Sequence, residues 1–380
     1  MDNDQTPPAA PPPLRPPPVI APAPQGDPAR RGRGRGWMVL AIVLLALLGL
    51  SVLANLRHWA HGVISMGAGH THLAGPKLDE VLIEDNDASA KLAVIDVNGI
   101  ITSRMSDQGG YTMVDVVRAE LDRAKEDTKV KGVLLRVDSP GGEVLASDEI
   151  YRLLTDFQKE SGKPVITSMG NLAASGGYYV SSASRWIVAN DLTITGSIGV
   201  IMHTWNYRTL MNKVGLLPEV YKSGKFKDML SGERKPEEIP IEERAMVQGL
   251  IDETYARFEE VVAEGRDAAH RKNQAQGKVL ANNWKDYADG RVFSGSQAYD
   301  LGFVDELGNF RDAVKRAKKI AGIAQDANLI QYRQRYDLSD VFRLFGKSKA
   351  PVIKVDLGMD IPKLDAGCLY FLCPTFVRGE

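Results

Sequence analysis

The longest apolar run of the chain lies near its N-terminus and contains no charged residue. Residues 37–56 read WMVLAIVLLALLGLSVLANL. A helix of this length measures about 30 Å, the thickness of the hydrocarbon core of a bilayer. Four arginines lie just before the run (Arg30, Arg31, Arg33 and Arg35), and Arg57 stands alone after it. The positive-inside rule therefore predicts a single-pass anchor, with the N-terminus in the cytoplasm and everything after residue 57 exported.

A cleaved signal peptide is the competing interpretation of this run. Val52-Leu53-Ala54 offers a small-residue cleavage site. The polar region that precedes the run is, however, much longer than the n-region of a signal peptide. The sequence therefore favours an uncleaved anchor over residues 37–56.

After residue 90, short apolar runs alternate with segments of helical periodicity. Strands are predicted at residues 92–97, 132–137, 164–168 and 186–189. Apolar residues at helical spacing predict helices around residues 113–124, 150–157, 241–269 and 310–320. Ser294 and Gln297 have the spacing of a capping box that opens a further short helix. Strands and helices in alternation predict an α/β domain whose largely parallel sheet is covered by helices.

The composition divides the rest of the chain. Eleven of the 20 prolines lie within residues 7–28, which predicts a disordered cytoplasmic tail over residues 1–36. Residues 57–90 read as a polar tether, and their four histidines have no ligand spacing that predicts a metal site: His58, His61, His70 and His72. Residues 91–325 form the predicted α/β domain, and residues 326–380 a C-terminal extension.

Charge and cysteine content exclude some classes of protein. The chain has 47 basic and 48 acidic residues, a net charge of -1, which gives no indication of a nucleic-acid-binding surface. Cys368 and Cys373 are the only cysteines, so the fold is not built on disulfides. Outside the cytoplasm these two cysteines could close a small disulfide loop, an alternative that the sequence leaves open. No metal or other cofactor is expected.

Two glycine-rich corners follow predicted strands and carry the candidate chemistry. The segment 138–142, DSPGG, comes directly after the strand 132–137, and glycines there allow backbone N–H groups to point outward as an oxyanion site requires. The segment 173–179, AASGGYY, places Ser175 at a strand-to-helix corner, where a hydroxyl is exposed to a substrate. A plain turn explains the first corner equally well, and a helix cap explains Ser175.

A nucleophilic serine needs a general base, and the exported part offers few histidines. His203 and His270 stand outside any motif that resembles a triad. Lysine is the other established partner of a serine nucleophile, and three lysines lie close together: Lys222, Lys225 and Lys227. A lysine base must be neutral at the working pH, so burial must lower its pKa from about 10.4 to about 7–8. From the residues alone, a solvated basic loop is the simpler interpretation.

Five motifs in the right order resemble the signal peptide peptidase A family of serine proteases, in its short, single-unit form. The resemblance covers roughly residues 90–325. The motifs are VDSPGG (137–142), NLAASGGYYVSSAS (171–184), TITGSIGV (193–200), YKSGKFKDML (221–230) and GRVFSGSQAYDLGFVDELG (290–308).

The resemblance implies a role for five residues. Ser175 matches the nucleophile and Lys227 the general base of a Ser-Lys dyad, while Ser197 matches a hydroxyl that holds the lysine amine. Gly142 and Gly176 match the two residues whose backbone N–H groups bind the oxyanion. Lys222 and Lys225 do not match the catalytic position.

The resemblance also implies a fold, an assembly and a substrate class. The family fold is the Clp-protease and crotonase type, a spiral of ββα units, here with helical additions and one preceding transmembrane helix. Its members form homo-oligomeric rings or domes, so the dyad is expected near subunit borders. The implied protein is a serine endopeptidase of the bacterial inner membrane that degrades cleaved signal peptides through an acyl-enzyme. The alternatives are an inactive membrane scaffold and an acyl-CoA enzyme of the crotonase type.

Overall fold

The computed structural model describes residues 43–45, 47–49, 51, 75–104, 110–335 and 368–373 of the 380. The seven described residues before residue 72, in a unit of their own, are helical and exposed. No helix within the described ranges is long and apolar enough to cross a membrane. The predicted cytoplasmic tail and most of the predicted anchor, residues 37–56, lie outside these ranges, as do the four tether histidines.

From residue 75 onward the described chain is a mixed α/β structure. Its helices are α1 Met113–Glu126, α2 Val144–Ser161, α3 Gly176–Ser181, α4 Arg208–Lys213, α5 Ile241–Lys272, α6 Gly295–Asp300 and α7 Phe310–Ile320. Its strands are β1 Leu78–Glu84, β2 Ala90–Asn98, β3 Val130–Ser139, β4 Gly141–Glu143, β5 Val165–Ala174, β6 Trp186–Ala189, β7 Ile194–Gly196, β8 Ile201–Met202, β9 Val292–Ser294, β10 Glu306–Leu307, β11 Ala327–Gln334 and β12 Leu369–Leu372.

Helix ends form where the local chemistry favours them. Thr112 and Asp115 form a capping box at the start of α1, and Ser294 and Gln297 form the predicted one at the start of α6. Helix α2 ends at Gly162, whose φ of 70° is the left-handed conformation that favours glycine. The local sequence therefore determines these boundaries.

The larger sheet is mostly parallel, and its central strands are buried on both faces. Its order is β1-β11-β2-β3-β5-β6-β10, with β7 paired to β5 and β9 paired to β7. The pairs β1–β11 and β7–β9 are antiparallel, and the others are parallel. Alternate residues of β2 belong to two different apolar clusters: Leu92 and Val94 to one, Ala93, Ile95 and Val97 to the other. Residues 92–95 are consecutive apolar residues, as burial of both faces requires.

Strand β5 changes its neighbour half-way along. Residues 166–168 pair with β6, whereas residues 172–174 pair with β7. The sheet therefore divides at β5, and the C-terminal half of this strand leads to the corner that contains Ser175. The predicted strands and helices are confirmed in place, with ends that extend by a few residues.

A second, smaller sheet joins distant parts of the chain. Its order is β4-β12-β8, and β12 is antiparallel to both neighbours. Strand β12 comes from the predicted C-terminal extension, as does β11, while β1 comes from the last part of the predicted tether. Segments that read as appendages in the sequence therefore complete both sheets.

Residues 205–221, which we name the exposed apolar segment, have little cover in the single chain. Helix α4 within this segment buries no residue. Apolar side chains exposed to this extent usually mark a surface that binds another molecule. The large exposed side chains are Trp205, Tyr207, Leu210, Val214, Leu216, Leu217, Val220 and Tyr221.

Candidate active site

Three parallel strands end side by side and bring the two glycine-rich corners together. Ser139 at the end of β3 pairs with Ala173 of β5, and Ala174 pairs with Gly196 at the end of β7. Neighbouring strands lie about 4.8 Å apart. The corner after β3, the Ser175 corner and the turn with Ser197 therefore meet at one edge of the sheet.

Ser175 lies at a sharp turn between β5 and α3. Its φ of 54° and ψ of −116° are rare for a residue with a side chain. Its N–H donates to the Gly196 carbonyl (2.8 Å), and its carbonyl accepts from the Tyr179 N–H (2.8 Å), so both neighbouring elements hold the turn. The residue is only 1% exposed, and no group that the structure describes hydrogen-bonds its Oγ. Leaving a buried hydroxyl without a hydrogen-bond partner costs free energy, so such groups are rare in folded proteins. Because Ser175 Oγ has no such partner, it is available to a reacting group.

The two glycine corners approach more closely than side chains would allow. A Cβ added to Gly176 would lie 2.6 Å from Ser147 Oγ and 3.1 Å from the Gly142 amide nitrogen. Gly141 has a φ of 96°, and a Cβ there would lie 2.6 Å from the Gly176 amide nitrogen. Backbone N–H groups of both corners therefore border one small space beside Ser175, an arrangement that can bind an oxyanion.

Hydrogen bonds from two separate segments hold the first corner in place. The Ser139 hydroxyl accepts from the Gly141 N–H (3.0 Å) and donates to the Gly99 carbonyl (2.6 Å). The Glu143 carboxylate accepts from Thr102 Oγ1 (2.8 Å) and the Ser103 N–H (2.8 Å). Burial acts to raise the pKa of Glu143, but these hydrogen bonds outweigh it and the pKa is lowered. Glu143 therefore remains ionised and anchors β4.

Ser197 lies beside Ser175, on the turn that follows β7. It is buried, its φ is 50°, and its N–H donates to the Arg291 carbonyl (2.7 Å). The register of β5 and β7 brings these two serines together, although 22 positions separate them in the chain. Both serines have the left-handed φ that L residues rarely adopt, and such residues concentrate at functional sites.

The lysines of the basic loop make no hydrogen bond to Ser175 Oγ in the single chain. Lys227 is exposed, and its backbone N–H donates to the Gly224 carbonyl at 3.4 Å. The Lys222 amine pairs with Asp228 (2.6 Å), and the Lys225 amine with Glu242 (3.7 Å). Since no described group bonds Ser175 Oγ, the structure does not join Lys227 to this serine within one copy.

The alternative bases do not reach the nucleophile either. His203 is partly buried beside β8, and His270 lies in the last turn of α5. Neither hydrogen-bonds Ser175 among the described residues. Within the same ranges, no group of three or more His, Cys, Asp or Glu side chains is arranged to hold a metal ion.

Some residues at the site are absent from the sequence-based prediction. The Phe371 ring lies against Tyr179 and Phe258, and the Tyr179 hydroxyl donates to Asp148 Oδ1 (2.7 Å). Burial and the hydrogen bond to Asp148 raise the pKa of Tyr179, so its hydroxyl stays protonated. The signal that could have indicated β12 is the short apolar run LYFL between the two cysteines.

Comparisons with known proteins identify the family of this chain. Residues 157–324 match the model of peptidase family S49. The chain is 34% identical over 308 residues to "Putative signal peptide peptidase SppA" of Enterococcus faecium, a match that covers 79% of this chain and 84% of that protein. The chain belongs to the signal peptide peptidase A family. The family resemblance seen in the sequence is confirmed, and the protein is a serine protease.

Other members of the signal peptide peptidase A family are longer. The chain is 36% identical over 247 residues to Protease 4 of Haemophilus influenzae, a match that covers 64% of this chain and 37% of that protein. It is 31% identical over 272 residues to the chloroplastic serine protease SPPA of Arabidopsis thaliana, a match that covers 70% of this chain and 38% of that protein. The solved structure of a mutant of the 1510-N membrane-bound stomatin-specific protease is 14% identical to this chain, with a TM-score of 0.37. That match covers 60% of this chain and 85% of the other.

Proposed function

We propose that this protein is a membrane-anchored serine endopeptidase that degrades cleaved signal peptides, with Ser175 as its nucleophile and Lys227 as its general base. The observation that carries the proposal is the Ser175 corner. A buried hydroxyl without a hydrogen-bond partner stands on a rare backbone conformation, beside the amides of Gly142 and Gly176. Nucleophilic serines occupy turns of this kind because the hydroxyl must face the substrate rather than the protein.

The chemistry follows in two steps. Ser175 Oγ attacks the scissile carbonyl as the lysine amine takes its proton, and the N–H groups of Gly142 and Gly176 stabilise the oxyanion. The intermediate then collapses to an acyl-enzyme, and the leaving amine receives the proton. Water, activated by the same lysine, attacks the ester and releases the second product. Ser197 is proposed to hold the lysine amine in position.

The exposed Lys227 requires a second copy of the chain for this mechanism. A lysine base must be shielded from solvent to become neutral near pH 7. In one copy of the chain Lys227 is exposed, so the shielding has to come from a neighbouring copy. The exposed apolar segment precedes Lys227 in the chain and offers a surface for a neighbouring copy. We therefore place the dyad between subunits of a homo-oligomeric ring or dome.

The substrate and the location are proposed from the sequence together with the family. The uncharged run 37–56 is proposed as a single-pass anchor that holds the site beside the inner membrane, on its extracytoplasmic side. Signal peptides left in the bilayer after export would be within reach there. The exchange of partners along β5 supports the spiral fold of the Clp-protease and crotonase type.

A fluorophosphonate probe tests the proposed nucleophile in the full-length protein in detergent. Peptide mapping should find the label on Ser175, and the labelling rate should rise towards alkaline pH because the lysine must lose its proton. An inflection near the imidazole pKa of about 6.5 would assign the base to a histidine instead. An assembled protein that takes up no label would support the inactive scaffold.

Gly176→Ala is expected to lower kcat by roughly 10²- to 10³-fold, the loss seen when one oxyanion donor is displaced. The new Cβ would push against Ser147 Oγ and the Gly142 amide, so the two N–H groups separate. Peptidase kinetics and a thermal melt measure the effect. Gly75→Ala is the matched control, because no atom lies within 4 Å of its added Cβ. Unchanged kcat in Gly176→Ala would remove these amides from the mechanism.

A further inference from the structure

The loop that carries Lys227 is a series of tight turns. The Lys227 N–H donates to the Gly224 carbonyl (3.4 Å), and the Met229 N–H donates to the Phe226 carbonyl (3.0 Å). Leu230 ends the series with a φ of 66°, a left-handed conformation that is rare for a residue with a side chain. Such a conformation persists only where surrounding contacts hold it, and it concentrates at functional sites.

A buried carboxylate on helix α5 provides the contact that holds Leu230. Glu243 lies in the first turn of α5 and is 2% exposed. Its carboxylate accepts from the Leu230 N–H (3.1 Å), and Arg234 Nη2 donates to both of its oxygens, at 2.5 Å to Oε2. Further along, α5 contributes Phe258 and Val261 to the larger apolar cluster. The turn is therefore attached to a rigid element through a buried ion pair.

The ion pair extends to the acid that follows Lys227 in the chain. The side chain of Asp228 is 11% exposed, and it lies 3.7 Å from Arg234 Nη1 and 2.6 Å from the Lys222 amine. The Lys222 amine also donates to the Lys225 carbonyl (3.2 Å), so its contacts lie on both sides of Lys227 in the chain. The hydrogen bond from Lys222 lowers the pKa of Asp228, so this carboxylate stays ionised.

An ionised carboxylate next to a general base opposes its chemistry. A carboxylate that pairs with an amine favours the protonated form, and charges within about 4–6 Å shift a pKa by about 1–3. A general base must accept a proton, so Asp228 has to be held by other groups. Among the described residues, no carboxylate forms an ion pair with the Lys227 amine, and Lys222 and Arg234 hold Asp228.

Two further ion pairs of this region are exposed. The Lys225 amine lies 3.7 Å from Glu242, and the Lys235 amine lies 3.4 Å from Glu238. All four side chains are more than half exposed. Exposed pairs are screened by solvent and salt and contribute little. The shielded contacts of Asp228 and Glu243 are therefore the ones that define the loop.

The loop is also joined to the exposed apolar segment. The Tyr207 N–H donates to the Gly232 carbonyl (3.0 Å), and Asn206 Nδ2 donates to the Arg234 carbonyl (2.9 Å). A Cβ added to Gly232 would lie 2.1 Å from the Trp205 carbonyl oxygen, so the two segments are in close contact. A neighbouring copy that packs on the exposed apolar segment would therefore also support the loop that carries the base.

Four side chains of this region form what we name the ion chain: Lys222, Asp228, Arg234 and Glu243. We propose that the ion chain positions the general base: it fixes the turn that presents Lys227 and keeps Asp228 from pairing with the Lys227 amine. The proposal rests on the proposed function, because it assumes that Lys227 accepts the proton of the nucleophile. The members of the ion chain are positioning residues, so their loss should change kcat and its pH dependence rather than KM.

Lys222→Ala tests the proposal without a buried change, because the Lys222 side chain is 35% exposed. The substitution releases Asp228, which then pairs with Lys227 and holds its amine protonated. The rise of kcat with pH should move upward by about one pH unit, a roughly tenfold loss at a fixed pH on the rising part, with KM unchanged. Lys225→Ala removes the same charge from the same loop and should leave the profile in place. An unchanged profile in Lys222→Ala would overturn the proposal.

The double variant Lys222→Ala/Asp228→Asn separates the charge of Asp228 from the shape of the loop. Asparagine carries no charge that could hold the Lys227 amine protonated, so the profile should return to its wild-type position. A role in folding alone predicts the opposite, because the second substitution removes a further contact from the loop. A profile that stays displaced in the double variant would contradict the ion chain.

Glu243→Gln tests the buried end of the ion chain. The amide leaves Arg234 without its anionic partner and weakens the acceptor of the Leu230 N–H. Because a misplacement of about 1 Å can cost 10²-fold, kcat should fall by roughly 10- to 100-fold, with KM within about twofold. A thermal melt shows whether the variant is folded at the assay temperature. A folded variant with wild-type kcat rejects the role of Glu243, and if the variant does not fold, Lys222→Ala decides.

Fluorophosphonate labelling of the full-length protein in detergent separates failure of this proposal from failure of the proposed function. Label on Ser175 in the wild type, and its loss in Lys227→Ala, retain the peptidase and its base. The pH profile of Lys222→Ala then decides on the ion chain alone. An assembled wild type without label, or full labelling of Lys227→Ala, rejects the proposed function and the role of the ion chain with it.

Discussion

Ser175→Ala is expected to lower kcat by roughly 10⁶-fold, because a serine peptidase without its nucleophile retains only binding and oxyanion stabilisation. The measurement is turnover of a quenched peptide by the full-length protein. Ser182→Ala is the matched control: this serine lies just after α3, and its hydroxyl donates to the Tyr178 carbonyl (3.0 Å). Its loss should leave kcat unchanged. Substantial turnover in Ser175→Ala would show that another residue is the nucleophile.

Ser175→Gly tests the Ser175 corner a second time, with protein stability as the measured quantity in addition to turnover. The φ of 54° and ψ of −116° are strained for serine but are readily adopted by glycine. Such strain costs about 1–3 kcal/mol, so Ser175→Gly should be inactive and yet more stable than the wild type by about 1 kcal/mol or more. Denaturant unfolding measures the gain. Ser175→Gly with lower stability than Ser175→Ala would contradict the strain at this corner.

Lys227→Ala is expected to lower kcat by roughly 10²- to 10⁴-fold and to leave the fold intact, because an exposed side chain contributes little to stability. Lys225→Ala is the matched control, since its ion pair with Glu242 at 3.7 Å is on the surface and of little energetic value. Both variants are compared by turnover and by a thermal melt. Full activity in Lys227→Ala would require another base.

Mixing two inactive variants tests whether the dyad is shared between copies. When Ser175→Ala and Lys227→Ala chains assemble together, random mixing gives an intact Ser175 beside an intact Lys227 in about a quarter of the sites of a ring with head-to-tail contacts. Turnover should therefore recover to about a quarter of the wild-type value. If mixed assemblies form and remain inactive, both members of the dyad belong to one copy.

Much of the central fold follows from local sequence patterns. The apolar run at residues 92–95 of β2 predicts a strand, and alternate residues of this strand enter opposite clusters. Helices α1 and α7 are recognisable from their spacing, and the capping box of Ser294 and Gln297 forms as predicted. Local backbone chemistry and burial point the same way in these elements, so sequence alone is sufficient there.

Only part of the candidate site can be predicted from local sequence patterns. The Ser175 corner is visible as a strand-to-helix turn with glycines, and the family motifs point to it independently. Its rare backbone conformation and its unpaired hydroxyl appear only in the folded chain. Glu143 and Ser139 carry no local signal, because their hydrogen-bond partners are brought to them by separate segments.

The amino-acid sequence by itself determined the family, the α/β class and the residues proposed for the chemistry, because strands, caps and glycine turns depend on residues close together in the chain. Only the tertiary structure decided that Ser197 stands beside Ser175, that Lys227 is exposed in one copy, and that β12 lies between β4 and β8. These facts depend on strand register and on pairing between distant segments. Such pairing is selected by the free edges and pockets that the rest of the fold creates, which no local periodicity records.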